Sequence, residues 1–237
     1  MKQPQFMIRR LLMRPVLLLG LIPSLALLAV IKAQDRASSF ELMQDPSTVT
    51  DSPFYIGAVS SLGIVLWSFA AAACLFAWLV RGQPYLKGVS LFLLASGLAS
   101  CALLLDDLFL AHEHVIPYYL EIPQKGVVAV YLLIGLVYLA VFRKNILAGP
   151  AAFLLLAFGL FAISSFLDTH VIQMPDHDWW EDGTKFLGIT SWLIFFGERS
   201  RQAVYEGLEM VGRRGVTNGL RPHVSAMVSE RDTGGPL

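Results

Sequence analysis

The chain has 237 residues, of which 55% are hydrophobic and only 15% charged, and its mean hydropathy is +0.60. A soluble domain carries about 25% charged residues, so this sequence lacks the charge to cover a water-facing surface. Lys+Arg and Asp+Glu are equal at 18 each, which excludes a basic face for nucleic acid. Two cysteines, Cys74 and Cys101, exclude a disulfide framework and a Cys-rich zinc module. The composition is that of an integral membrane protein.

A spanning helix needs about 20 mostly apolar residues. Stretches free of Asp, Glu, Lys and Arg predict six such helices, at about 11–33, 54–81, 88–112, 124–142, 146–169 and 182–198. The expected fold is therefore all-α, a polytopic transmembrane bundle over residues 1–198. A tail at 199–237 follows, helical at first and disordered beyond Gly215, where Gly, Ser, Thr, Pro and charges mix. The first helix carries Pro23 and is followed by Val30-Ile31-Lys32-Ala33-Gln34-Asp35. No small-x-small cleavage site is present there, so this helix is expected to stay uncleaved. The third carries Ala95-Ser96-Gly97-Leu98-Ala99-Ser100, whose small-xxx-small spacing predicts a position inside the bundle. No internal repeat or inverted pair of broken helices is found.

Orientation follows from the basic residues in the connections. Fourteen Lys and Arg fall on the side of Arg9, Arg81, Arg143 and Arg199, against four (Lys32, Arg36, Lys125 and Lys185) on the other. Both termini are expected in the cytoplasm, in a bacterial-type inner (plasma) membrane. The acidic residues sort the opposite way, with 13 on the outer side and 5 on the inner.

Ionisable groups at membrane depth are costly and mark functional sites by default. Here they gather at three outer helix ends: Asp106 to His114, Asp168 to His170, and Glu181 to Lys185. With Asp106 at 0° and about 100° per residue, Asp107 stands at about 100°, Glu113 at about 340° and His114 at about 80°. His112, at about 240°, points elsewhere. His177, Asp176 and Asp178 read as loop or off-face residues, and Tyr118-Tyr119 and Trp179-Trp180 as an interfacial belt.

Carboxylates and imidazoles on one face suit a divalent metal, zinc or else iron or manganese. The expected ligands are Asp106, Asp107, Glu113, His114, Asp168 and His170. Glu181 is the expected catalytic base, and Lys185 the cation that stabilises developing negative charge. The set is similar in kind to that of the seven-helix ceramidase and adiponectin-receptor zinc hydrolases. Their His-x-x-x-His pair has no counterpart here, so the chain is not placed among them. The sequence thus predicts a metal-dependent membrane enzyme, of hydrolase type, acting on a lipid or other hydrophobic substrate. The alternatives are an ion- or proton-coupled carrier, with Asp106, Asp168, Glu181 and Lys185 as relay, and a non-enzymatic membrane subunit.

Overall fold

The computed structural model describes residues 21–81, 88–168 and 175–231. Among them every regular element is a helix, and no strand occurs. The chain divides into two compact units, residues 1–58 and 59–237.

The first unit holds α1 (Ile22–Ala33), α2 (Ser39–Met43) and α3 (Pro46–Val49). Ser38 starts α2 through a capping box. Its hydroxyl accepts from the Glu41 N–H at 3.1 Å, and the Glu41 carboxylate accepts from the Ser38 N–H at 2.8 Å. Pro46 occupies the first turn of α3, where a missing N–H costs nothing.

The second unit holds α4 (Ala58–Arg81, entered one residue before the division), α5 (Val89–Phe109), a π-helical turn at Ala111–Val115 and α6 (Ile116–Leu120). It continues with α7 (Gln124–Leu147), α8 (Ala151–Leu167) and α9 (His177–Arg231). Three segments are long and apolar enough to cross a membrane: Ala58–Val80, Val89–Phe109 and Gln124–Leu147. Helices α1 and α8 are apolar but shorter. The first predicted span is described only from residue 21, as α1. The sixth lies within α9, which starts at His177 and runs through position 198 to Arg231. Within this continuous helix Arg201 and Gln202 both donate to Glu198, at 2.6 and 2.9 Å, one turn away. The helix also passes Gly215, where composition predicts disorder.

Lipid tails are as apolar as leucine, so packing and interhelical hydrogen bonds hold such a bundle. Trp67, Phe92, Leu93, Leu154, Trp192 and Phe196 form its buried centre. Trp192 stands edge-on to Trp67 at 5.5 Å and donates its indole N–H to Ser100 at 3.0 Å. Ser96 meets the Tyr138 hydroxyl at 2.6 Å. The small-residue stretch of α5 faces inward as predicted: Ser96, Gly97 and Ser100 are buried. A Cβ at Gly97 would stand 2.6 Å from Leu75 of α4, so only glycine permits this approach.

At one end of this unit, Arg199 is buried and donates to the Asn145 carbonyl at 3.2 Å, under the α7–α8 connection. The polar groups of interest lie at the other end, where α5 and α8 finish and α7 and α9 begin.

Candidate functional site

The last turn of α5 carries Asp106 and Asp107, both buried. The helix then stops, because Leu110 takes the left-handed conformation (φ 50°, ψ 45°) while its N–H donates to the Asp106 carbonyl. That geometry costs a non-glycine residue about 1–2 kcal/mol. The next five residues form the π turn, in which the His114 and Val115 N–H groups both donate to the Leu110 carbonyl, at 2.8 and 3.4 Å.

This break returns the chain over the end of its own helix. His112 comes back to Asp106, its backbone N–H donating to Oδ1 at 2.9 Å and its ring Nδ1 lying 2.6 Å from Oδ2. The Tyr131 hydroxyl of α7 donates to Oδ1 as well, at 2.9 Å. With Nδ1 against a carboxylate, Nδ1 carries the proton and Nε2 is the basic nitrogen of the neutral ring. Nε2 faces the Glu113 carboxylate at 3.4 Å. Burial pulls the His112 pKa down. The hydrogen bond and charge of Asp106, with the charge of Glu113, outweigh it, so the pKa lies above its ordinary value.

Asp107 faces another way. Its Oδ1 lies 2.5 Å from the Lys185 ammonium of α9. The Glu113 charge acts on Lys185 as well as on His112, which ties the two pairs into one electrostatic unit. Beside this ion pair is a small pocket of about 20 Å³, lined by Ser60 and Gly63 of α4, Asp107, and Asp182, Lys185 and Ile189 among the residues of α9 and its neighbours.

The predicted residues are thus gathered only in part. Asp106, Asp107, Glu113 and Lys185 form one cluster. Helical phase is lost beyond Leu110, because the 100° step applies only to an unbroken helix. His112, at about 240° in that phase and so pointing away, is the partner of Asp106. His114, which the same phase places beside Asp107, is 73% exposed and 4.0 Å from Glu113. Asp168 accepts from Gln124 at 2.7 Å, joining the ends of α7 and α8. Glu181 lies 3.6 Å from His177, one turn before it, while Lys185 pairs with Asp107. His170 lies outside the described residues.

The described residues do not bring the expected metal ligands together. Among the described residues no three His, Cys, Asp or Glu side chains stand where they could hold one ion. Asp106 is occupied by His112 and Tyr131, Asp107 by Lys185 and Asp168 by Gln124. Three of the expected ligands, Asp106, Asp107 and Asp168, are thus engaged by protein partners.

Tyr131, Gln124 and Gly63 are functional neighbours that sequence reasoning passed over. A signal existed for two of them. Gln124, Tyr131 and Tyr138 recur every seventh residue along α7, and seven residues return a helix to nearly the same face. All three point their polar atoms into the bundle.

A family model described as "Domain of unknown function (DUF8692)" matches residues 16–198. No curated protein and no solved structure matches the chain.

Proposed function

The chain belongs to this family, and from that premise we propose that it is a six-span membrane enzyme of acid–base type. In this reading both termini are cytoplasmic and the Asp106–His112 site lies at the non-cytoplasmic end. The substrate is a lipid or other hydrophobic ester or amide, and the reaction is hydrolysis. The topology is supported by the bias of 14 basic residues against 4 between the two sides.

One observation carries the chemical reading: the contact between His112 Nδ1 and Asp106 Oδ2 at 2.6 Å. An imidazole held this way by a carboxylate has a fixed tautomer and a base-competent second nitrogen. Asp106 also stabilises the imidazolium formed when Nε2 takes a proton. Lys185, 30% exposed in its side chain, offers a cation to negative charge developing nearby. None of these roles calls for a metal.

The test is a comparison of wild-type and His112→Gln protein, each incubated in detergent with a total membrane lipid extract. Mass spectrometry should reveal lipid products that accumulate with the wild type alone. Identical lipid profiles for the two proteins would sink the proposal.

A second reading, a proton-coupled carrier, draws on the run Tyr131–Asp106–His112–Glu113, with neighbours 2.9, 2.6 and 3.4 Å apart. Toward the opposite end, the polar contacts of the bundle centre are the uncharged pairs Ser96–Tyr138 and Ser100–Trp192. Uptake into proteoliposomes that follows an imposed pH gradient would favour the carrier over the enzyme.

A further inference from the structure

The two oxygens of the Glu113 carboxylate face two different imidazoles. Oε1 lies 3.4 Å from His112 Nε2, and Oε2 lies 4.0 Å from His114 Nδ1. The break after α5 fixes the backbone on both sides of Glu113. The His112 N–H is tied to Asp106, and the His114 N–H to the Leu110 carbonyl. Side-chain exposure rises along the same row, from 10% at Asp106 and 18% at His112 to 32% at Glu113 and 73% at His114. The row therefore leads from a buried carboxylate to an imidazole at the surface. Its last gap is too long for a hydrogen bond, but an exposed ring reorients within nanoseconds and can close it.

A base that ends a turnover protonated must return that proton to water before it acts again. Asp106 holds His112 through Nδ1, so the proton resides on Nε2, the nitrogen that Glu113 faces. A carboxylate there receives it, and an imidazole passes it on near neutral pH. Ester and amide hydrolysis differ in whether a proton is left over. In both, the water oxygen bonds to the acyl carbon. The bond from that carbon to the leaving atom then breaks, and its electron pair stays with that atom. Near neutral pH an ester ends as carboxylate, alcohol and one free proton. An amide ends as carboxylate and an ammonium group, which keeps the proton.

We infer that Glu113 and His114 are a proton path from His112 to water, and that the hydrolysis they serve is that of an ester. The inference rests on the acid–base reading for its use, while the path itself can be tested without any substrate.

The experiment measures how fast the His112 ring proton exchanges with water, from NMR line shapes of the full chain in detergent with isotope-labelled histidine. The His112 signals are those missing from the His112→Gln spectrum. His114→Ala should slow this exchange about 10²-fold and leave the fold intact, since that side chain is 73% exposed. Free imidazole in the buffer should restore the rate, which it would not do for a structural defect. Glu113→Gln should slow exchange too, and the double variant should be no slower than the slower single one. Exchange in His114→Ala as fast as in wild type overturns the path, and so does a loss that imidazole leaves uncorrected. Among the lipid products of the wild type, an alcohol beside the fatty acid supports the ester assignment, and an amine overturns it. Identical lipid profiles for wild type and His112→Gln defeat the acid–base reading and the ester assignment with it, whereas the exchange rates still decide the path.

Discussion

His112 follows Asp106 by six residues, yet its ring nitrogen lies 2.6 Å from the Asp106 carboxylate. In a continuous helix these two side chains would diverge by about 120°. The left-handed Leu110 and the π turn after it remove that divergence. An Asp–His pair is thereby built within a single stretch of chain, and α7 adds the Tyr131 hydroxyl to hold the carboxylate.

Replacing Asp106 by Asn keeps the shape but removes the charge that orients and supports the imidazole. Turnover should fall about 10²–10³-fold, with a smaller change in KM. Steady-state kinetics on the lipid substrate that the wild-type and His112→Gln comparison reveals would check this. An Asp106→Asn enzyme as fast as the wild type would show that the pair is structural.

The pH behaviour follows from the sign of the His112 shift. Its pKa in the folded protein lies above the ordinary 6.5, so the folded state binds the proton more tightly than the unfolded one. The resulting stabilisation is fully present below about pH 6.5 and is lost as pH rises through the folded-state pKa. For a base the consequence is opposite: kcat/KM should rise with pH through that same elevated pKa. Thermal melts and pH–rate profiles of wild type and His112→Gln test both halves. The variant should lose the stability change across this window, and an unaltered profile would exclude His112 as the titrating group.

Breaking the Asp107–Lys185 pair should be costly, since Asp107 is almost fully buried. Lys185→Ala leaves that carboxylate without its cation, and a loss of about 2–3 kcal/mol is expected, reduced from the fully buried case by the partial exposure of the lysine. Asp107→Asn in the Lys185→Ala background should recover part of the loss. Chemical denaturation in mixed micelles measures both. Additive effects of the two substitutions would mean that they do not interact.

Gly97→Val tests the close approach of α5 to α4. The new side chain meets Leu75 at 2.6 Å, and the strain should cost about 1–3 kcal/mol. Gly159→Ala is the control, because a Cβ there meets nothing within 4 Å. Equal melting temperatures for the two variants would contradict the packing described.

The membrane character and the helical class were legible in the sequence because both rest on long apolar runs. The inward face of α5 was legible for the same reason, from the size of its side chains alone. Asp106, Asp107 and Lys185 stood out as charges in apolar surroundings. The partner of Asp106 was not legible, because nothing in Leu110-Ala111-His112 announces a left-handed residue at a leucine. Once the helix ends there, every angle extrapolated past it is void, and the phase that sets His114 beside Asp107 and turns His112 away no longer applies. Tyr131 was obscured for another reason: a tyrosine on an apolar helix reads as bulk until its hydroxyl is seen to reach a carboxylate.

Helix α9 is fastened at two points in its first half by cations, Lys185 to Asp107 and Arg199 to the Asn145 carbonyl. Fourteen residues separate them, so their Cα atoms stand about 21 Å apart along the helix. A bilayer's hydrocarbon core is about 30 Å thick. In the proposed six-span topology the difference is a hydrophobic mismatch, which the surrounding lipid would relieve by thinning beside α9 or by letting headgroups dip toward Lys185. Acyl-chain length thus becomes a control on this molecule: short-chain bilayers should bring the ester linkages of neighbouring lipids level with the reactive end, and long-chain bilayers should hold them away.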